Sequence, residues 1–251
     1  MENSNEGKKN KKSRKGLYFA VFAGILSAVA VVLACTVFFR VETIDVQGSE
    51  RYAPEDVIDA SGVLRGTYLV LIPKEQTIQR IKETLPYVRS VELDRHFPTT
   101  LRLTVTDDYA AARVTSGDSF WLLDPQGKVL EQAQPDADYG CLTVTGLDLM
   151  APVPMEQAQV LDENGGQLKG LIALMTALEQ QQMLGQITEI NAGSKTEISM
   201  IYQGRLRVKF MIGADYERKI RIFREIVALI GEYETGTVDL KTERGCFTPT
   251  L

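Results

Sequence analysis

Residues 17–39 read LYFAVFAGILSAVAVVLACTVFF, 23 positions without a charge. As a helix rising about 1.5 Å per residue the run would be roughly 34 Å long, against about 30 Å for the hydrocarbon core of a bilayer. Six basic residues precede it, Lys8, Lys9, Lys11, Lys12, Arg14 and Lys15, and only Arg40 and Glu42 follow closely. Basic residues collect on the cytoplasmic side of a span. Residues 1–16 are therefore expected inside and everything after Arg40 outside, as in a single-pass type II membrane protein with a transmembrane helix at 17–39. A cleaved signal peptide has the same polarity, but a shorter apolar core of about 7–15 residues and small residues at its cleavage site. Thr36-Val37-Phe38-Phe39-Arg40 ends in bulky aromatics instead, which suits an interface anchor. Ala20, Gly24 and Ala28 recur every four residues, so they share a helix face that would permit close packing against another membrane helix.

About 210 residues follow the run, enough for one or two small domains. With the six basic and two acidic residues of the tail set aside, 22 Lys and Arg stand against 31 Asp and Glu, a net charge near −9. That balance argues against a nucleic-acid surface. The tail Asn3–Lys15 has the composition of a disordered segment and fits against anionic headgroups. Membrane lipids are thus one expected contact. Of the three cysteines, Cys35 lies in the uncharged run; Cys141 and Cys246 lie outside it, with no CxxC spacing. A disulfide between those two stays open for an oxidising compartment.

Downstream, the pattern is α+β. Val41–Gln47 is extended, with Ile44 and Val46 on one face, and Gly48 breaks it. Pro54 opens a helical turn, Pro54–Ala60, as proline favours the first turn. Gly62 and Gly66 punctuate a loop before the apolar Tyr68–Ile72. Pro73 starts a helix to Leu85 whose Ile78, Ile81 and Leu85 form one stripe, and Pro86 ends it. Val91 and Leu93 alternate with charged neighbours, as do Leu101, Leu103 and Val105 with Arg102, Thr104 and Thr106. The spacing predicts a β-α-α-β-β unit.

A second region begins near Tyr109–Arg113. Phe120–Leu123 reads as a strand running into the turn Asp124-Pro125-Gln126-Gly127, and Leu142–Thr145 as another strand. Gly165 and Gly166 precede an amphipathic helix, roughly Gln167–Met183. Ile198, Met200 and Tyr202 alternate up to Gln203-Gly204, and Leu206, Val208, Phe210 and Ile212 alternate down, a hairpin. A helix Asp215–Ile230 carries Tyr216, Ile220, Phe223, Val227 and Ile230 on one stripe. A last strand, about Thr237–Phe247, ends the chain.

Catalytic patterns are thin. His96, the single histidine, sits in a turn beside Pro98, and there is no HExxH or CxxC spacing for a metal and no phosphate-binding glycine loop. Asp107-Asp108 could serve as a carboxylate pair in a glycosidase. Adjacent strand residues face opposite sides, however, so a solvated strand end is expected there. No catalytic residue, metal or cofactor is assigned. The terminal strand offers a binding reading instead: an edge presents unpaired N–H and C=O groups to another chain. Lys241, Thr242, Arg244, Gly245 and Phe247 are the expected partner-binding residues, with Phe247 filling a partner pocket and the charges discouraging indiscriminate pairing.

The series Ile44-Asp45-Val46-Gln47-Gly48, Gly62 and Gly66, Pro86-Tyr87-Val88 and Arg95-His96-Phe97-Pro98-Thr99-Thr100-Leu101, behind the uncharged run, resembles the extracytoplasmic POTRA module of the bacterial cell-division proteins FtsQ and DivIB. Asp124-Pro125-Gln126-Gly127, Lys219 and Val238-Asp239-Leu240-Lys241 resemble the β-rich domain of the same family. Asp107-Asp108-Tyr109-Ala110-Ala111 departs from the Glu-Arg-x-Pro-like stretch common there, and no long disordered tail is expected after Leu251. The resemblance implies a cytoplasmic tail at 1–16, the membrane helix, a POTRA-like domain at 41–109 and a β domain at 110–251 with a C-terminal edge strand. It also implies a non-enzymatic divisome scaffold in the cell membrane, enriched at the septum. Such a scaffold would bind bitopic partners of the FtsL and FtsB/DivIC types and help regulate the septal peptidoglycan synthase complex. A membrane-tethered cell-wall hydrolase and a POTRA adaptor of a secretion pathway are the alternatives.

Overall fold

A computed structural model describes residues 14–161, 166–242 and 245–250. The uncharged run lies in helix α1 (Arg14–Phe38) and the residue that follows it. Side chains of α1 are described for 18–30 and Phe38, and all of them are exposed. Tyr18, Phe19, Phe22, Ile25 and Leu26 thus present apolar surface outward. Among the described residues no helix is long and apolar enough to cross a membrane. Ala20, Gly24 and Ala28 are exposed with the rest, and a Cβ added at Gly24 would meet nothing within 4 Å. The tail before Arg14 and Gly165 lie outside the described residues.

The chain divides into two compact units, residues 1–81 with 91–105 and residues 82–90 with 106–251. The first is built around the β-α-α-β-β order read from the sequence: β1 (Thr43–Gln47), α2 (Pro54–Ser61), α3 (Lys74–Thr84), β2 (Val88–His96) and β3 (Thr100–Asp107). Strand β3 lies in the middle of the sheet, in the order β1-β3-β2. It pairs with β1 in parallel, Ile44 opposite Leu101 and Val46 opposite Leu103. Period-two alternation sends Leu101, Leu103 and Val105 fully inside, while Arg102 turns outward and reaches Asp45 at 2.9 Å. Pro54 opens α2, and Gly62 closes it at φ 65°, the left-handed cap that glycine adopts without strain. The apolar stretch after Gly66 forms a short 3-10 turn, Leu69–Leu71, with Leu69 and Ile72 buried.

The second unit is a nine-stranded sheet backed by two helices. Its elements are β4 (Ala112–Ser116), β5 (Ser119–Leu123), β6 (Val129–Ala133), β7 (Leu142–Asp148), α4 (Gly166–Gln180), β8 (Ile187–Asn191), β9 (Glu197–Tyr202), β10 (Leu206–Met211), α5 (Tyr216–Val227), β11 (Gly236–Asp239) and β12 (Cys246–Pro249). The spatial order is β12-β11-β10-β9-β8-β7-β4-β5-β6. The hairpin β9–β10 has the expected antiparallel register, Met200 opposite Val208. Asp215 caps α5 by accepting the Arg218 N–H at 3.0 Å. Leu171, Leu174 and Leu178 of α4 join Ile220 and Phe223 of α5 and Val208 and Phe210 of β10 in one buried core. Phe223 meets the Tyr202 ring edge-on at 5.2 Å.

Three sequence expectations change. The terminal segment is two antiparallel strands, Gly236–Asp239 and Cys246–Pro249, because the chain turns back after Asp239. Helix α4 stops at Gln180, before Met183. Strands β6 and β8 break the alternation that would have revealed them. Register shifts, one opposite β6 between Leu122 and Leu123 and one within β8 between Ile187 and Glu189, place buried residues out of period.

Phe223 fills the contact of α5 with the sheet, so Phe223→Ala should cost about 3–5 kcal/mol of stability, read as a lower midpoint in denaturant unfolding followed by circular dichroism.

Candidate functional site

The nine-stranded sheet is open, so it has two edges. At β6 the edge is partly covered. Val129 donates its N–H to the Glu156 carbonyl at 2.8 Å, its own carbonyl accepts the Met155 N–H at 2.7 Å, and Lys128 bridges to Gln157. At β12 no described strand lies outside. The hydrogen-bond phase shows which groups face outward there. Thr250 donates to the Thr235 carbonyl at 2.9 Å. With Thr237 opposite Thr248 and Asp239 opposite Cys246, antiparallel alternation makes these the bonded pairs. Gly236 and Leu240 donate the other way, to the Arg205 and Lys209 carbonyls. Phe247 and Pro249 therefore turn their backbone groups away from β11. Phe247 offers an N–H and a C=O; Pro249 offers only a C=O.

The five residues expected at this site occupy different positions. Lys241 and Thr242 lie in the loop between β11 and β12. Lys241 reaches Glu197 at 3.3 Å and Asp239 at 3.6 Å; hydrogen bonding to Glu197, with both carboxylate charges, holds its ammonium above the ordinary lysine value. The Thr242 carbonyl accepts a hydrogen bond from the buried Lys219 ammonium, which ties α5 to the hairpin loop. Arg244, with Glu243, lies outside the described residues. Gly245 passes so close to α5 that an added Cβ would stand 2.5 Å from Ile226 Cδ1 and 2.8 Å from Leu240 Cδ2. Phe247 is half-buried against the chain's own core and overlies Gly236, where a Cβ would stand 2.6 Å from its ring. Just beyond α5, Leu229 and Tyr233 are almost wholly exposed. Neither stands out in the sequence, since Leu229 falls off the α5 stripe and Tyr233 lies beyond Gly231.

The expectation of a solvated Asp107-Asp108 end is overturned at Asp108, which is buried. Its carboxylate meets Lys128 at 3.0 Å and Arg89 at 3.2 Å, and Arg89 continues to Glu179 at 2.9 Å. Asp124, also buried, accepts the Gln126 and Lys128 N–H groups at 2.8 Å, forming the turn read at 124–127. Burial alone would raise the Asp108 carboxyl, but hydrogen bonds from Lys128 and with Asp124, and the Lys128 charge, bring it below the usual range. Burial pushes Asp124 up to about 6; the Lys128 N–H pulls against this and the Asp108 charge adds to it. The two carboxylates are thus driven apart, Asp108 held low and Asp124 raised. With both side chains almost fully enclosed by Arg89 and Lys128, the pair has no face open to a sugar. No metal-holding group of His, Cys, Asp or Glu occurs among the described residues. Cys141 and Cys246 are free thiols, and burial raises that of Cys141. His96 is exposed at the end of β2.

Fold and edge together define a protein whose first unit is POTRA-like and whose second presents an unpaired strand. Residues 39–107 match the family model described as POTRA domain, FtsQ-type. The cell division protein FtsQ of Corynebacterium glutamicum is 26% identical over 185 residues, 71% of this chain and 76% of that one. FtsQ of Chloroflexus aurantiacus is 29% identical over 55% of this chain and 52% of its own length. The cell division protein DivIB of Clostridium botulinum is 20% identical over 94% of this chain and 91% of its own. The solved major extracytoplasmic domain of DivIB from Geobacillus stearothermophilus is a distant likeness, 15% identical with a TM-score of 0.32, covering 50% of this chain and 95% of that one. The chain is thus similar to the FtsQ and DivIB cell-division proteins, with an FtsQ-type POTRA match at residues 39–107.

Because the folded chain raises the Asp124 pKa above its ordinary value of about 3.9, this group's contribution to stability is full below about pH 4 and falls as pH rises through 6. In Asp124→Asn the amide oxygen keeps both N–H bonds and the proton is no longer needed. That variant should lose the fall between about pH 4 and 6 and gain roughly 1–2 kcal/mol at pH 7; urea titrations across this range check it.

Proposed function

We propose that this chain is a non-enzymatic scaffold of the cell-division machinery, and that the outer edge of β12 receives a strand from a bitopic partner of the FtsL or FtsB/DivIC type. One observation carries the reading: β12 ends the sheet with the Phe247 N–H and C=O directed outward. An added strand would take its affinity from those main-chain groups and its selectivity from the side chains around them. Lys219 and Gly245 hold the hairpin close to α5, so the edge is preorganised. Lys241, Thr242, Arg244, Gly245 and Phe247 are then the docking segment, with Phe247 acting chiefly from its backbone.

Helix α1 is the anchor of this scaffold. A helix with apolar residues exposed on every side is stable only in an apolar surrounding, and the basic residues before it favour a cytoplasmic N-terminus. Residues 41–251 then lie outside the cytoplasmic membrane. At the septum, the scaffold would help regulate the peptidoglycan synthase complex through its partners. The Ala20–Gly24–Ala28 face is available for a partner's membrane helix. The relatives bear cell-division names, which favours this role over a secretion adaptor, and the enclosed Asp108–Asp124 pair offers a hydrolase no accessible acid.

Proline is tolerated in an edge strand where its nitrogen faces outward. Phe247→Pro should therefore keep the fold but weaken binding of the partner's extracytoplasmic segment about tenfold, while Phe247→Leu, which keeps the N–H, should change it far less. Titration calorimetry against FtsB/DivIC-type and FtsL-type segments, with circular dichroism on each variant, reads this; equal affinity for a folded Phe247→Pro would sink the strand-addition reading.

A further inference from the structure

The chain leaves α1 through a tight grip. The Phe39 carbonyl accepts the Leu69 N–H at 2.9 Å; Val41 donates to Thr67 and accepts from Gly66, both at 2.8 Å. On the other side Glu42 and Thr43 donate to the Thr99 carbonyl at 2.9 and 3.3 Å, and the Phe39 ring meets Phe97 edge-on at 5.5 Å. Arg40 bridges to Tyr68 and lays its guanidinium 5.0 Å from that ring's centre. Two loops, 64–71 and 97–99, therefore flank the helix exit, and both belong to the first unit.

Both loops turn apolar side chains to the outside. Leu64 is 75% exposed, Val70 59%, Leu71 71% and Phe97 58%. Looseness does not explain it. Leu69 and Ile72 are buried on either side of Val70 and Leu71, and Arg95 clamps the same turn by donating to the Leu69 and Ile72 carbonyls at 3.0 and 2.7 Å. A single exposed leucine needs no explanation, but four large apolar side chains held out around one helix end do. Arg40 and Arg65, both exposed, stand among them.

We infer that Leu64, Val70, Leu71 and Phe97 dip into the outer interface of the bilayer that α1 crosses, so that the first unit is itself a membrane-binding body. The inference rests on α1 spanning the membrane as proposed above. The occupant is lipid because the patch surrounds the point where the span would leave the hydrocarbon. The mixture also fits an interface: apolar side chains for the acyl boundary, Tyr68 and Phe97 as aromatic-belt residues, and Arg40 and Arg65 for anionic headgroups.

The test uses the full chain in vesicles of phosphatidylcholine and phosphatidylglycerol. An environment-sensitive fluorophore is placed singly, in a background with all three cysteines replaced by serine, at Ile25→Cys, Leu71→Cys, Phe97→Cys or Asp118→Cys. Ile25, Leu71 and Phe97 should give blue-shifted, several-fold brighter emission quenched by nitroxide-bearing lipid, whereas Asp118, in an exposed turn of the second unit, should read water. Leu71 and Phe97 reading water while Ile25 reads hydrocarbon would overturn the inference and leave the anchor standing. Ile25 reading water would overturn both. Should a labelled variant fail to fold, methyl resonances of the unlabelled chain decide. Nitroxide lipid should broaden those of Leu64, Val70 and Leu71 several-fold along with Ile25, and broadening at Ile25 alone overturns the inference.

Discussion

Each backbone N–H and C=O in a sheet needs a partner, and an open sheet leaves two rows of them exposed. The organisation of the second unit follows from how that requirement is met. The pairings β4–β7, β7–β8 and β10–β11 are parallel, so the chain must leave the sheet and return. The returns through α4 and α5 supply the cover for one face. At β6 the segment 155–157 answers the exposed row. At β12 water does. The asymmetry is structural: one edge is partly covered from within the chain, and the other is stiffened by Lys219 and Gly245 without being covered by a described strand.

The parts of this architecture that were legible in the sequence are those where period and punctuation agree. Leu101, Leu103 and Val105 alternate without interruption, prolines stand at the helix starts, and the β9–β10 hairpin has unbroken alternation on both arms. Where the backbone departs from a regular ladder, the signal fails. Val129 and Leu130 are consecutive and both buried beside a register shift, so β6 does not look like a strand. Gly146 and Gly193 pass so closely that a Cβ on Gly146 would stand 2.6 Å from the Gly193 backbone, and no local pattern announces such an approach. The turn after Asp239 was hidden for a different reason: β11 and β12 are each four residues long, too short for alternation to separate two strands from one.

The candidate site was legible as a place but not as a set of atoms. A terminal strand at a sheet edge follows from chain order; which amides face outward follows only from the hydrogen-bond phase. Phe247 was singled out for its side chain, yet half of that side chain is committed to the core. The charge cluster around Asp108 was invisible for the usual reason that its members come from separate elements: Arg89 on β2, Lys128 after the turn, Glu179 near the end of α4. Burial of Asp108 and Asp124 side by side is tolerated because Arg89 and Lys128 stand against them and backbone N–H groups bind Asp124.

Pro249 gives β12 a property beyond its shape. Two copies of this chain meeting edge to edge, antiparallel and centred on Phe247, would each bring a proline opposite Gly245 of the other, and each pairing would lack one donor. Self-association at this edge is thereby weakened at both ends of a strand only four residues long. A foreign strand carries no such proline by necessity and can place its own donor against the Pro249 carbonyl. The single ring thus weighs against pairing of this edge with its own copy, the contact that would otherwise close two chains into a dimer.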